Sequence, residues 1–441
     1  MTDQQRVDAV SLVGNPWLKT PNLDSLATQG VYFLRMYCPY PLCSPSRASL
    51  HTGRFPHEVG VDHNRMSIVP SIPISGQVLS AAGYDTAYVG KWHLPEVYPT
   101  TQGSIPGFTV LNKIERKGKL AYEVDEATMK EAIKFIKQRR DKPFYLVVSF
   151  ANPHDICLLA GESKPLYKQV WQRYGPPQDT PLPPLPPNFK LPENEPRWLA
   201  NRRPKHPNWD ENHWRRYIYA YYRLVEEVDR QIGQVLQALR ETGQEENTLI
   251  IFTSDHGEGL GCHQWTGKMM FFEGEVAVPL IVSWKGRIPA GRIDRKHLVS
   301  TVDIFPTICD YAGLRPPAKV RGQSLRPIIE NPNAPWRSYV VSEIAHTPKV
   351  GRSFMVRTTR YKYMRFAIPG GKTSEMLYDM KEDPNEMKNL AGNPKYEKVL
   401  NRHRRLLDQW RKATEEEKHP VLPSPRASRS KRHRAQIRTR S

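Results

Sequence analysis

Thr248-Leu249-Ile250-Ile251-Phe252-Thr253-Ser254-Asp255-His256-Gly257 is an apolar run that stops abruptly in polar residues. Thr248 to Thr253 is of strand length and shows no polar alternation, so it reads as a strand covered on both faces. Similar runs are Phe144 to Phe150 and Val278 to Trp284, with a shorter one at Asp85 to Val89. Stretches of helical length lie between them, Glu123 to Arg140 and Trp214 to Glu241. Pro21-Asn22-Leu23-Asp24 opens a short helix that closes near Gly30. This alternation predicts an α/β fold with a large, mainly parallel sheet flanked by helices. Ligands of such sheets bind at the carboxyl ends of the strands. Three polar clusters fall there: Gly90-Lys91-Trp92-His93, Asn152-Pro153-His154 and Ser254-Asp255-His256. Alone, Asp255-His256 would be a polar cap on a strand. Three such clusters at three strand ends point to a shared site.

Two regions interrupt the pattern. Residues 175–209 hold a dense run of prolines, including Pro181-Leu182-Pro183-Pro184-Leu185-Pro186-Pro187. Such a run continues neither helix nor central strand and reads as a long extended loop, a frequent place for binding. After about Pro335, antiparallel strands are predicted at Ser353 to Tyr363 and Met376 to Asp379, then an amphipathic helix at Tyr396 to Lys412. The division is a catalytic α/β domain at 1–335, a small C-terminal antiparallel sheet plus helix at 336–417, and a basic tail at 418–441.

The chain of 441 residues has a formal charge of +20. Val421 to Ser441 contain seven Lys or Arg and no acid, which leaves +13 on the body. Such a balance fits anionic partners. Mean hydropathy is −0.62 and no long apolar run occurs, which excludes a membrane-spanning helix. Cys38, Cys43, Cys157, Cys262 and Cys309 are irregularly spaced, and they form neither a disulfide framework nor a Cys-x-x-Cys metal site.

Cys43 is different from the other four. In Pro41-Leu42-Cys43-Ser44-Pro45-Ser46-Arg47-Ala48-Ser49-Leu50-His51-Thr52-Gly53-Arg54 it is followed at fixed offsets by Pro45 and Arg47, and a helix-like run closes at Gly53. This resembles the Cys-x-Pro-x-Arg signature of the type I sulfatases, within the alkaline phosphatase superfamily. The resemblance runs from Asp3 to about Leu390. It includes Leu377-Tyr378-Asp379-Met380-Lys381-Glu382-Asp383-Pro384-Asn385-Glu386, similar to a segment near the end of those enzymes. It implies that Cys43 is oxidised to formylglycine (3-oxoalanine) by a formylglycine-generating or anaerobic sulfatase-maturing enzyme. One hydroxyl of the aldehyde hydrate then takes the sulfuryl group, and the other expels it.

Sulfate ester hydrolysis also needs a cation beside the non-bridging oxygens and an acid for the leaving alcohol. The resemblance places a divalent metal on Asp3, Gln4, Cys43, Asp255 and His256. Many members carry Asp-Asp and Asp-Asn pairs. Asp3-Gln4 and Asp255-His256 are closer to the choline-sulfatase and phosphonate monoester hydrolase branches and to some glycan sulfatases. Hard oxygens suit Ca²⁺ or Mg²⁺, with Ca²⁺ the first choice, and the imidazole brings in Mn²⁺. Arg47, one helical turn after Cys43, would orient the hydrate. Lys91 and His93 match the Gly-Lys-Trp-His-Leu-Gly box, with Pro95 in place of its glycine. There the lysine contacts sulfate and the histidine takes a proton. His154 matches the leaving-group acid and Lys268 a sulfate-binding lysine. Asn64, 21 residues after Cys43, matches an active-site Asn of the hydrolase branch.

The expected substrate is a sulfated small molecule or glycan. Arg202-Arg203-Pro204-Lys205-His206 interleaved with Trp198, Trp209 and Trp214 would suit sulfated sugar rings. Two other readings compete: a phosphonate or phosphate ester hydrolase on the same site, and an anion-binding protein, nucleic acid included, that uses the tail. No membrane partner is expected. In the family an apolar strand runs into the equivalent of Asp3. Met1-Thr2-Asp3 is therefore expected to be the end of a strand whose body precedes it, and an exported native form is expected.

Overall fold

The computed structural model describes residues 1–95, 104–111, 118–161, 166–192, 194–347 and 349–414. The basic stretch at 418–441 lies outside the described residues, as do 415–417 at the end of the predicted C-terminal unit.

One part of the main sheet is wholly parallel, in the order Thr109–Val110, Asp85–Gly90, Phe144–Ser149. Another runs Ile250–Thr253, Leu280–Ser283, Gly30–Phe33, Arg292–Asp294. Leu280–Ser283 is antiparallel to both neighbours, while Gly30–Phe33 and Arg292–Asp294 are parallel. The first three residues join the two parts. The Met1 amino group donates to the Val148 carbonyl at 2.7 Å, and Thr2 N–H to the Thr253 carbonyl at 3.0 Å. Thr2 and Asp3 make parallel bridges to Ser254 and Pro153. The sheet is thus mainly parallel with one reversed strand. A run buried on both faces looks the same in either direction, so the sequence held no sign of the reversal. Gly30–Phe33, only four residues but fully buried, was not expected as a strand.

Helices cover the sheet. Glu211–Glu241 starts at Asp210, whose carboxylate accepts the His213 N–H at 2.8 Å. Tyr217, Tyr221, Leu224, Val228 and Ile232 recur at helical spacing on its buried face. Ala121–Lys137 packs against it. Among the described residues no helix is long and apolar enough to cross a membrane.

The sheet opens behind Met1. A cavity of about 720 Å³ lies between Phe144–Ser149 and Ile250–Thr253, lined by Leu146, Val148, Ile250 and Phe252 among others. Phe144 to Val148 are in consequence only partly buried, not covered on both sides as their composition predicts. Their other edge is paired with Asp85–Gly90.

The C-terminal sheet is an antiparallel meander of Tyr339–Ala345, Arg352–Thr358, Tyr361–Ile368 and Lys372–Asp379. The predicted strand at 353–363 is in fact two, split by a turn, and Tyr339–Ala345 was not foreseen. Helix Glu397–Thr414 buries Leu400, Leu407 and Trp410 on one face of this sheet. On its other face Met355, Met364, Phe366 and Met376 enter the same core as Val31, Phe33, Leu280 and Val282. The proline-rich stretch has no regular element among its described residues until Arg197–Arg202.

Candidate active site

The three polar clusters converge. Strands Asp85–Gly90, Phe144–Ser149 and Ile250–Thr253 end side by side and deliver Lys91, His154 and Asp255 to one place. The fourth component comes from helix Cys43–Thr52. All ten of its residues are buried, and it stops where Gly53 takes φ 66, a left-handed turn that favours glycine. Cys43 is its first residue, so its side chain stands at the positive end of the helix dipole.

Asp3, Cys43, Asp255 and His256 each offer one ligand atom, and these atoms lie within 4.8 Å of one another, all four residues buried. Arg47 braces the carboxylates from behind: Nε donates to Asp255 Oδ2 at 2.8 Å and Nη2 to Asp3 Oδ2 at 2.9 Å. Nη1 donates to the Lys91 carbonyl at 2.7 Å and to Ser149 Oγ at 2.8 Å. His256 Nδ1 donates to the Gly257 carbonyl at 2.8 Å, which turns Nε2 to the cluster, 3.2 Å from the Cys43 sulfur. The donor set, two carboxylates and an imidazole around an oxidisable side chain, fits a divalent cation.

Two ammonium groups flank the Cys43 sulfur. Lys268 Nζ is 3.1 Å away and Lys91 Nζ 3.8 Å away, and Lys91 also pairs with Asp3 Oδ2 at 2.6 Å. Burial and Asp3 push the Cys43 thiol up, but Lys268, Lys91 and His256 outweigh them and hold it well below the ordinary range. Burial likewise raises Asp3, and Lys91, His154, Arg47 and Lys268 more than reverse it. Asp255 goes the other way, up to about 6, through burial and the Asp3 charge. A metal between the two carboxylates would lower both. Burial pushes His154 down to about 3, aided by Lys91 and Lys268, and Asp3 offsets this in part. His154 Nε2 is 3.9 Å from Asp3 Oδ1. Burial and Lys91 lower His93 to about 4.

Gln4 sits differently from the other proposed ligands. Its main-chain N–H donates to Asp255 Oδ1 at 3.1 Å, but its amide oxygen accepts from Lys268 Nζ at 2.9 Å. Asn64 serves the main chain, its Oδ1 accepting the Ser44 N–H at 3.0 Å. The aromatic groups of the proline-rich region are not open platforms. Trp198 packs on Phe366 with ring centres 4.6 Å apart, and Trp209 on Trp214 at 4.8 Å. That region clamps the turn that carries Lys268. The Asn188 carbonyl accepts from His263 N, Arg203 Nε donates to the His263 carbonyl, and His206 bonds Thr266 Oγ1 at 2.9 Å. Sequence reasoning missed Ser149 and Glu258. Ser149 closes a predicted strand, so its position could have drawn attention to it, whereas Glu258 acts through contacts with residues distant in sequence.

Gln4 and His93 take φ of 74 and 68, left-handed values that cost a non-glycine residue on the order of 1 kcal/mol each. Both are held by the cluster around them.

Comparison with known proteins identifies the family. The family profile described as "Sulfatase" matches residues 1–314, and one for the C-terminal region of N-sulphoglucosamine sulphohydrolase matches 261–413. A Delta 4,5-hexuronate-2-O-sulfatase of Bacteroides thetaiotaomicron is 33% identical over 88% of this chain and 82% of its own. A solved 2-O GAG sulfatase superposes with a TM-score of 0.81 at 30% identity, over 97% of this chain and 94% of that one. A phosphonate monoester hydrolase of Agrobacterium radiobacter gives 0.78 at 26% identity, over 94% of each chain.

Proposed function

The chain belongs to the sulfatase family, and from that premise we propose that it hydrolyses an O-sulfate ester on a sulfated carbohydrate. The observation that carries this is the pair of ammonium groups, buried Lys91 and partly buried Lys268, within reach of the Cys43 sulfur and next to the Asp3–Asp255–His256 cluster. A tetrahedral anion brought to the Cys43 side chain meets cations on two sides. The likeness to a hexuronate 2-O-sulfatase over most of both chains supports a sulfated sugar as the substrate.

The family implies a divalent metal and a formylglycine in place of Cys43. Asp3, Asp255, His256 and the residue at 43 would hold the metal, for which Ca²⁺ is our choice before Mg²⁺ and Mn²⁺. When bound, it would supply Lewis acidity to the sulfate oxygens, and formylglycine would supply a diol nucleophile. Conversion of Cys43 requires a formylglycine-generating or anaerobic sulfatase-maturing enzyme as a partner.

This chain's residues do the rest. Lys91 and Lys268 hold the anion, and Arg47 fixes both carboxylates so that they cannot turn away. His154 is neutral before substrate arrives, because burial and the two lysines disfavour its charge. An incoming sulfate cancels the lysines' field, so His154 gains basicity with the substrate and can hand a proton to the departing alcohol. His93, neutral and buried beside Cys43, is placed to take a proton from that side chain.

The test is release of inorganic sulfate from a panel of sulfated mono- and disaccharides, before and after EDTA treatment and with Ca²⁺, Mg²⁺ or Mn²⁺ returned. Release that needs the metal supports the reading, whereas full activity in metal-free protein contradicts it. A phosphonate ester hydrolase is the second reading, favoured by the Asp255-His256 pair and by the Agrobacterium neighbour. A phosphonate monoester turned over faster than every sulfate ester would establish it.

A further inference from the structure

We infer that Glu258 is a positioning residue that aims Lys268 at the substrate anion through Gln4. Glu258 is fully buried and belongs to neither the ligand cluster nor the ring of cations. Its two oxygens divide the work. Oε1 accepts from Gly267 N at 2.6 Å, from Tyr217 Oη at 2.9 Å and from Leu260 N at 3.3 Å. Oε2 accepts from Gln4 Nε2. Gln4 Oε1 then accepts from Lys268 Nζ at 2.9 Å, and the same Nζ lies 3.1 Å from Cys43 Sγ. The bonds close a ring: Glu258 grips the turn at Gly267, one residue before Lys268, and grips the ammonium's partner from the other side.

The polarity of this ring follows from the chemistry of its members. An amide side chain presents oxygen and nitrogen with nearly the same shape, and only its partners decide which way it faces. A carboxylate only accepts, so Glu258 fixes the Gln4 nitrogen on its own side and leaves the oxygen for Lys268. An ammonium only donates. Were the Gln4 amide reversed, its nitrogen would face Nζ and the ammonium would turn elsewhere. A buried side chain with four bonds, two of which control one lysine, is the arrangement expected of a support for a binding group.

Glu258→Gln tests this. The new amide nitrogen would meet the Gln4 nitrogen, two donors face to face, so Gln4 would flip and release Lys268. The inference rests on Lys268 holding sulfate, so inorganic sulfate is the probe. It is read as a competitive inhibitor of ester hydrolysis and by the rise it produces in melting temperature. Expected is at least a tenfold weaker sulfate inhibition constant, with KM raised more than kcat is lowered. The double variant Gln4→Glu, Glu258→Gln conserves charge and remakes both bonds: residue 258 now donates to residue 4, and Lys268 still donates to an oxygen of residue 4. It should recover sulfate binding to within about threefold of the parent. A merely structural role predicts no such recovery. Sulfate affinity unchanged in folded Glu258→Gln, or lost in the single variant and not regained in the double, overturns the inference. If Glu258→Gln does not fold, Gln4→Leu removes only the relay and must weaken sulfate by the same factor; unchanged affinity there overturns it too. Lys268→Ala separates the two readings. If it does not weaken sulfate, the sulfate-holding role of Lys268 fails and the inference with it. If it does while Glu258→Gln does not, only the role of Glu258 fails.

Discussion

At the residue scale the site turns on one cation behind two carboxylates. Arg47 is almost wholly buried and bonds Asp3, Asp255, Ser149 and the Lys91 carbonyl. A buried ion pair adds little net stability, but removing one partner leaves the other charge uncompensated in a poor solvent for it. Arg47→Met is therefore expected to cost about 3–5 kcal/mol in metal-free protein, and clearly less with metal bound, because a divalent cation replaces the lost charge. Urea unfolding with and without EDTA checks this; an equal loss in both conditions would mean that Arg47 does not act through the carboxylates. Cys43→Ala should leave the melting temperature near that of the parent and remove turnover by several orders of magnitude. A rate above about a tenth of the parent's would contradict covalent catalysis at this position. Most of these residues were legible in the sequence, since each stands at a strand end or in a spaced motif. Glu258 was not, because its meaning lies in a hydrogen-bonded ring that joins positions 4, 258 and 268, and no local pattern carries such a ring.

Elements were legible where an apolar run had strand length and obscure where a neighbour set the outcome. The apolar runs at 144–150 and 248–253 gave strands to within a residue or two. The reversal of Leu280–Ser283 and the existence of Tyr339–Ala345 depend on pairing partners, which propensity does not specify. The cavity behind Met1 makes a prediction of this scale. An extension that places about six apolar, β-branched residues ahead of Met1 should fill it and pair with the free edge of Phe144–Ser149. It should also replace a buried amino group whose pKa burial lowers to about 5. The melting temperature should rise by several degrees, and an unchanged value would show that the sheet gains nothing from a strand there. A second prediction concerns the seam between the main sheet and the C-terminal sheet. Burial pushes Glu275 well up, aided by Glu386 and Glu258, and neither Glu275 oxygen has a hydrogen-bond partner among the described residues. Burial raises Glu386 to about 7, against the pull of Lys362. Both bind their protons more tightly folded than unfolded. Their contribution is therefore fully present below the ordinary carboxylate range and is lost as pH rises towards and past 7. Glu275→Gln removes one titration, so its stability relative to the parent should grow by about 1.4 kcal/mol per pH unit above pH 5. Parallel urea midpoints for the two proteins from pH 5 to 7 would contradict this.

The whole molecule joins a main sheet to a small C-terminal one through a single core, with its site at the strand ends. A formal charge of +20 on 441 residues should draw polysulfated substrates more strongly than monosulfated ones. kcat/KM for a polysulfated oligosaccharide should fall several-fold between low and physiological salt, and that for a monosulfated sugar should change much less. Equal salt dependence would mean that only the local cations matter. The α/β class, the C-terminal sheet and the family were all legible in the sequence, because strand-end motifs survive even where strands are short. How the proline-rich region is used was not, since its contacts with the Lys268 turn depend on distant carbonyls and not on its own pattern. In the proposed reaction Cys43 is converted and its product drives ester cleavage. The most direct measurement is the mass of the peptide spanning Cys43, taken from protein that releases sulfate. The peptide should be lighter than its cysteine form by about 18 Da, sulfur having been exchanged for oxygen with loss of two hydrogens. A fully active preparation in which that peptide carries an unmodified cysteine would contradict that reaction.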